Sequence, residues 1–227
     1  MNRLFSIVLT TALAGVASAQ TPSLSGPTNA TGGFGDRAVL INQPNNGNSN
    51  RISQDFPNNS SFSTFSFDDF TLSQTTTLTA LTFYGTELGD SSQNRGMLCA
   101  ITTGPSASGG ILAVFNGSQI GDNLIFNLGG ITLTSGTYWL TAFVVRDSGP
   151  AGQWLWNTTG EPVSGSEAFV HNPGGGFGFG TSPVAGSTVF PDGVKDMAFA
   201  LEGEIVPTPG SLALLGVGGL LARRRRR

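Results

Sequence analysis

The stretch NLIFNLGGITLTSGTYWLTAFVVR, from Asn123 to Arg146, shows the β-strand pattern of the chain most clearly. β-Branched and aromatic residues fill three short runs, and the pairs Gly129-Gly130 and Ser135-Gly136 separate them. Such runs favour β-strands, and glycine-containing pairs between them mark turns. The stretch therefore predicts three consecutive strands, at residues 123–128, 131–133 and 137–146.

The same pattern extends in both directions along the chain. Further strands are predicted at residues 38–42, 62–72, 77–84, 97–102, 111–115, 153–156 and 197–205. Turn signals between them include Gly104-Pro105, Asn116-Gly117 and Gly149-Pro150. Strands that recur every 8 to 12 residues or so, with no long amphipathic helical pattern, are typical of sandwiches and barrels. We expect an all-β, antiparallel, jelly-roll-like β-sandwich over residues 38–205.

The first 19 residues have the three parts of a secretory signal peptide. Arg3 provides the positive charge, residues 4–16 are mostly apolar, and Ala17-Ser18-Ala19 is a small-residue cleavage site. Cleavage between Ala19 and Gln20 is predicted to remove this signal helix. Residues 20–37 are rich in Thr, Ser, Pro, Gly and Asn, with little to bury, and are predicted to form a flexible arm.

Residues 206–227 combine a hinge, an apolar segment and a basic block. The hinge at residues 206–211 holds two prolines, and residues 212–222 are apolar. The basic block is Arg223, Arg224, Arg225, Arg226 and Arg227. The apolar segment is shorter than the roughly 20 residues that span a bilayer, but arginine stems can lengthen it by snorkelling. We expect a short, transient transmembrane helix whose arginines stay cytoplasmic, which places residues before Val206 on the opposite side.

This tail resembles the PEP-CTERM sorting domain, in which a Pro-Glu-Pro-like tripeptide precedes an apolar helix and arginines. The matching residues are Val206, Pro207, Thr208, Pro209, the run at 211–216 and the arginine block, with Thr208 where the family usually has glutamate. The resemblance implies recognition by a transpeptidase of the exosortase type. It also implies a transient anchor in the inner membrane, followed by transfer to the cell surface or release from the cell.

Four segments of the middle region are similar to the β-sandwich ectodomains that PEP-CTERM proteins often carry. These segments are residues 68–72, 78–85, 133–140 and 196–203. The resemblance implies a surface or matrix protein and no particular reaction.

After removal of both terminal segments, the chain has five basic and fourteen acidic residues, so its net charge is −9. Nucleic acid is therefore excluded as a partner, because phosphate binding needs a basic surface.

Few residues in the chain suggest catalysis. Cys99 lies in an apolar run and is expected to be a buried hydrophobic residue. His171 is the only histidine and is expected to be an exposed loop residue, so a catalytic triad is not expected. A glycan hydrolase would need two facing carboxylates, which could come from Glu87, Glu161, Glu167, Glu202 and Glu204. Glu202 and Glu204 share one predicted strand face, which we expect to be solvated, opposite Phe199, Leu201 and Ile205.

Several aspartates lie near predicted strand ends and are candidate ligands for a structural calcium ion. The set proposed from the sequence is Asp68, Asp69, Asp192 and Asp196, with Asp90 and Asp122 as further oxygen donors. The alternative is that these aspartates cap turns through hydrogen bonds to their own backbone. No cofactor besides this ion is expected.

Aromatic residues allow two interpretations. Trp154 and Trp156 point to one side of a strand and either belong to the core or form a platform that stacks on sugar rings. Phe62, Phe65, Phe67 and Phe70 are expected in the core. The glycine-rich loop, residues 171–180, is expected to be flexible, with ligand contact through its phenylalanines as the alternative.

The resulting hypothesis is a non-catalytic, structural or adhesive protein of the bacterial surface or extracellular matrix. A second hypothesis is a module that binds carbohydrate, with extracellular polysaccharide as its partner. A third is an ice-binding protein, suggested by Thr75, Thr76, Thr77 and Thr79. A fourth is a glycan hydrolase that uses two of the glutamates.

Overall fold

The structure is a computed structural model that describes residues 38–107, 109–149 and 151–207. The predicted signal peptide and the arm lie outside the described residues. So does the sorting tail from residue 208 onward, including the apolar segment and the arginine block. No helix in the described ranges is long and apolar enough to cross a membrane.

The described residues form fourteen β-strands joined by loops and three short 3₁₀ turns. The strands are β1 (Ala38–Gln43), β2 (Asn50–Ile52), β3 (Gln54–Asp55), β4 (Phe65–Leu72), β5 (Thr76–Phe83), β6 (Gly85–Glu87), β7 (Gly96–Thr102), β8 (Ile111–Ile120), β9 (Asn123–Leu133), β10 (Gly136–Val145), β11 (Trp154–Asn157), β12 (Phe169–His171), β13 (Val184–Ala185) and β14 (Phe199–Ile205). The 3₁₀ turns are Ser60–Phe62, Ser91–Gln93 and Gly186–Thr188.

Most strands belong to one large, curled sheet. Its order is β1-β14-β5-β9-β8-β7-β10-β4-β12-β13, and β3 joins it by pairing with β10. A smaller sheet has the order β2-β11-β6. Every pairing of named strands is antiparallel except that of β3 with β10. The expectation of an all-β, mainly antiparallel fold is confirmed.

The main core combines side chains of the large sheet with Trp154 and Trp156 of the small sheet. Trp156 is fully buried, and the Phe83 ring meets it edge-on at 4.8 Å between centroids. Both tryptophans of β11 have their polar atoms satisfied: Trp154 Nε1 donates to the Asp122 carbonyl and Trp156 Nε1 to the Ala198 carbonyl, each at 2.8 Å. A buried indole N–H without a partner would be destabilising, so these bonds fix both rings in the core.

A second, smaller core lies on the opposite face of the same sheet. Side chains of a strand alternate between the two faces, so Leu140 and Ala142 of β10 enter the main core, whereas Trp139 and Phe143 point the other way. Phe65 and Phe67 of β4 join the second core, and Phe70 joins the main one. Because both faces are covered, β4 is buried along almost its whole length.

Two predicted turns lie inside strands. Gly129 and Gly130 have φ of 64° and 80°, and the pairing of β5 with β9 shifts register there, so the two predicted strands are one strand, β9, with an irregularity. Asn116-Gly117 lies within β8. A Cβ at Gly117 would stand 2.4 Å from the Phe126 ring, so this glycine accommodates a core side chain and does not mark a turn.

Two predicted core residues are exposed. Phe62 belongs to a 3₁₀ turn, not to β4, and is 36% exposed. Ile205 is 49% exposed because it is the last residue of β14. Phe199 and Leu201 are fully buried, as expected.

Candidate functional site

An open cleft of about 250 Å³ lies where the first 3₁₀ turn, the segment before β11 and the glycine-rich loop meet. Its apolar wall is formed by Phe56, Phe62 and Phe177. Its polar rim carries Asn59, Ser148 and Gln153, with Gly149 and Gly152 beside them. We call this site the aromatic cleft. None of the described residues that line it is charged.

Three phenyl rings form an ordered group at the cleft. Phe62 and Phe177 meet edge to face, with centroids 5.2 Å apart and an interplanar angle of 89°. Phe179 is parallel to Phe177 at 6.1 Å. Phe177 is 44% exposed, so apolar ring surface faces solvent at a place where the neighbouring rings restrict its orientation.

Asn172 fastens the glycine-rich loop to the 3₁₀ turn. Its buried amide Nδ2 donates to the carbonyls of Ser61 and Ser63, each at 2.8 Å, and its Oδ1 accepts from the Phe177 backbone N–H at 3.0 Å. The Gly176 N–H also donates to the Ser61 carbonyl, at 2.8 Å. A Cβ at Gly176 would stand 2.6 Å from that carbonyl oxygen, so glycine permits the close approach. The sequence predicts a flexible loop here, but these bonds hold Phe177 against Phe62.

His171 helps to hold the glycine-rich loop in place. It is buried, whereas the sequence predicts an exposed residue. It is the last residue of β12 and only 2% exposed. Its Nδ1 accepts from the Ala107 N–H at 3.0 Å, so Nε2 carries the proton toward the Thr181 carbonyl at 3.1 Å. Burial lowers the pKa of His171, against a smaller opposite effect of the bond to Thr181. Both ring nitrogens are used in holding loops together, which indicates a structural role.

Three buried aspartates, Asp68, Asp69 and Asp196, lie close together where β4 approaches the segment before β14. Asp68 Oδ1 accepts from the Asp69 N–H at 2.9 Å, and its Oδ2 accepts from the Met197 N–H at 2.7 Å. The Gln43 amide donates to the same Oδ2 at 3.0 Å in the orientation that its surroundings require. Burial, with the nearby charge of Asp196 adding to it, raises the pKa of Asp68 well above its ordinary value.

Asp69 and Asp196 hold the loop at residues 164–166. Asp69 Oδ1 accepts from the Ser166 N–H at 2.8 Å, and Asp196 Oδ2 accepts from the Ser164 N–H at 2.7 Å. Asp196 Oδ1 is buried without a hydrogen-bond partner. Burial raises the pKa of Asp69, and burial together with the charges of Asp69 and Glu167 raises the pKa of Asp196 to about 6.

The predicted calcium ligands do not assemble as one site. Asp192 lies elsewhere and pairs with Arg51 at 2.7 Å. Within the described ranges, no group of three or more His, Cys, Asp or Glu side chains is arranged to hold a metal ion. Asp90 caps a 3₁₀ turn by accepting from the Ser92 N–H, which is the alternative role that the sequence suggests. Asp68, Asp69 and Asp196 likewise bind backbone N–H groups.

We predict that Asp196→Asn stabilises the protein at neutral pH. The folded-state pKa of about 6 lies above the ordinary 3.8, so the contribution of this group to stability is complete below about pH 4 and is lost as the pH rises through about 6. Asparagine can keep the bond from Ser164 and cannot ionise. We expect the free energy of unfolding to increase by about 1–3 kcal/mol at pH 8 and to change little at pH 4.

Urea denaturation of the purified protein at both pH values measures this effect. Asp90→Asn is the matched control, because the pKa of that exposed carboxyl is lowered by hydrogen bonds from Ser92 and no gain at pH 8 is expected. A gain of equal size at pH 4 and pH 8 for Asp196→Asn would contradict the assignment of charge burial as its cause.

Several of the remaining candidate residues are engaged in the fold. Trp154 and Trp156 are 0% exposed, so they belong to the core and do not form a sugar platform. Cys99 is buried, as expected, and burial raises the pKa of its thiol. Among the glutamates, Glu87 pairs with Arg146 and Glu167 accepts from the Ser187 N–H and hydroxyl.

The threonines considered for ice binding do not form an open array. Thr76 is 3% exposed and bonds to the Gln74 carbonyl, and the Thr77 hydroxyl pairs with that of Thr132. The hydroxyl of Thr79 is buried without a partner. The hydroxyls of Thr76 and Thr79 are therefore turned away from solvent, and of these three only that of Thr77 lies at the surface.

No protein-family model matches the chain, and a search of the curated proteins finds no match.

Proposed function

We propose that the chain is an exported bacterial protein of the cell surface or extracellular matrix, sorted through its PEP-CTERM-like tail. The observation that carries this proposal is the joint presence of a cleavable leader at residues 1–19 and of the hinge, apolar segment and arginine block at residues 206–227. Each feature directs a protein to a membrane, and together they favour a location outside the cytoplasm for the β-domain between them. Its partners are then an exosortase-type transpeptidase and, transiently, the inner membrane.

The exported domain acts as a structural or adhesive element and not as an enzyme. This part of the proposal is supported by the state of its most reactive side chains, since His171 and Cys99 are buried and the nitrogens of His171 join two loops. The jelly-roll-like arrangement expected from the sequence is likewise proposed, as a finer description of the curled antiparallel sheet. A rigid, acidic β-domain with these side chains buried suits a matrix component.

Export through the leader is tested by blocking its cleavage. The double substitution Ala17→Leu with Ala19→Leu replaces both small residues that the signal peptidase needs. We expect the wild-type protein to begin at Gln20 and the variant to accumulate as a membrane-bound precursor that retains residues 1–19, as measured by N-terminal mass spectrometry after fractionation.

Ala14→Leu is the matched control, because it lies in the apolar part of the leader and leaves the cleavage site intact. This control is expected to be processed like the wild type. A wild-type protein that keeps Met1 and fractionates with the cytoplasm would overturn the proposed export.

A further inference from the structure

We propose that the aromatic cleft binds a neutral saccharide and is the point at which this protein attaches to a polysaccharide. The inference rests on the proposed function, because an exported matrix protein meets polysaccharide and a cytoplasmic one does not. The residues that contact the sugar are then not the buried tryptophans but the exposed phenylalanines Phe62 and Phe177. The side-chain amides of Asn59 and Gln153 lie beside them.

The polar rim has unused hydrogen-bonding capacity. In the described part of the chain, the Gln153 side chain has no hydrogen-bond partner, and Asn59 uses only its Oδ1, which accepts from the Ser61 hydroxyl at 3.2 Å. Side-chain amides offer both a donor and an acceptor, and this combination matches the hydroxyl groups of a sugar. The described lining of the cleft holds no charged residue and the exported region carries a net charge of −9, so a neutral ligand is favoured over an anionic one.

The aromatic wall suits the apolar face of a sugar ring. Pyranose rings present C–H groups with partial positive charge, which are attracted to the negative face of an aromatic ring. Phe177 is 44% exposed and is held by contacts with the rings of Phe62 and Phe179. Ligand binding therefore requires little ordering of these side chains, and preorganisation of this kind raises affinity.

The volume of the cleft limits the size of the ligand that it can bind. A volume of about 250 Å³ lies just below the range of about 300–1,000 Å³ that is typical of sites for drug-sized ligands. One sugar ring fits this space, and the open mouth lets the rest of a chain continue into solvent. The cleft is thus suited to one unit of a polysaccharide.

The backbone around the cleft argues against a peptide as the occupant. Peptides commonly add to open strand edges through main-chain hydrogen bonds. Here the N–H groups of Phe62, Gly176, Phe177 and Gly178 are already used within the loops. Recognition of a ligand therefore falls mainly to side chains.

Affinity electrophoresis of the full-length chain in detergent tests the proposal. The gels contain dextran, laminarin, mannan or galactan, all neutral polysaccharides, and a gel with alginate serves as the anionic comparison. We expect retardation by at least one neutral polymer and none by alginate. We expect Phe177→Ala and Gln153→Ala each to weaken that binding roughly fivefold to tenfold, and Phe177→Trp to retain it.

Ile120→Ala is the matched control, since Ile120 is 64% exposed and lies on β8, outside the cleft lining. Gln153 is exposed, so its substitution leaves the core intact and keeps the test valid even where a phenylalanine variant folds poorly. Absence of retardation by every neutral polymer overturns the proposal, as does binding that survives both Phe177→Ala and Gln153→Ala. A proline-rich peptide that binds the wild type but not these variants would assign the cleft to a protein partner. That result would also overturn the proposal. The assay is independent of leader cleavage, so its failure would leave the proposed export standing.

Discussion

Substitution of Glu87 by alanine is expected to lower the free energy of unfolding by about 3–5 kcal/mol. The guanidinium of Arg146 is fully buried, and Glu87 accepts two hydrogen bonds from it, at 2.8 Å and 2.6 Å. Without this carboxylate, the Arg146 guanidinium would keep only the Asn94 side-chain oxygen and the Ala151 carbonyl as hydrogen-bond partners. A buried charge without its counter-charge is strongly destabilising.

The pKa of Glu87 agrees with its ion pair to Arg146. Burial alone would raise the pKa of Glu87, but hydrogen bonds from Arg146 and Gln119, with the charge of Arg146, lower it below its ordinary value. The stabilisation is therefore present at neutral pH and is lost as the pH falls through the folded-state pKa of Glu87, which lies below the ordinary value of 4.5.

The control for this prediction is a second ion pair, between Arg95 and Asp147. Arg95 is 59% exposed, so Arg95→Ala is expected to change the free energy of unfolding by less than about 1 kcal/mol. The double substitution of Glu87→Leu with Arg146→Met removes both charges and is expected to be milder than Glu87→Ala alone. Urea denaturation of the wild type and these three variants makes the comparison, and a Glu87→Ala protein as stable as Arg95→Ala would refute the buried-charge explanation.

The second large effect is expected in the tail. Removal of Arg223–Arg227 deletes five positive charges directly after the apolar segment. We expect the shortened protein to lose its membrane orientation, because the apolar segment of residues 212–222 is itself too short to span the bilayer without these residues. Fractionation would then find an unprocessed protein that retains residues 210–222, in place of the processed surface form.

Two full-length variants separate charge from length in this experiment. Replacement of all five arginines by lysine keeps the positive charge and is expected to preserve sorting. Replacement of all five by glutamine keeps the length and is expected to behave like the deletion. Normal surface delivery of the glutamine variant would show that charge is not what orients the tail.

The sequence is a good guide to the strands because their signals are local. Alternating β-branched and aromatic residues mark β4, β5, β7, β10 and β14 to within a few positions, and Gly104-Pro105 and Gly149-Pro150 mark the connections before β8 and β11. It is a poor guide at Asn116-Gly117, where the pair usually means a turn. The reason that this glycine lies in a strand is the Phe126 ring on the neighbouring strand, a tertiary contact with no local signal.

The sequence predicts only one part of the aromatic cleft, the loop that carries Phe177. The run of glycines and phenylalanines around Phe177 suggests contact with a ligand, but the spacing of Phe62 continues the pattern of Phe65 and Phe67 and so predicts a core strand. Asn59 and Gln153 join the site from segments far apart in the chain. The burial of His171 similarly depends on Ala107, a distant residue, so its isolation in the sequence is misleading.

The most direct test of sorting through the tail is the intact mass of the native protein in each cell fraction, compared between wild type and Pro207→Ala. We predict a surface or released form that lacks residues 1–19 and the residues after about Pro209, and we predict that Pro207→Ala prevents its formation. A wild-type protein that keeps the arginine block and remains in the inner membrane would contradict sorting and define a permanently anchored ectodomain.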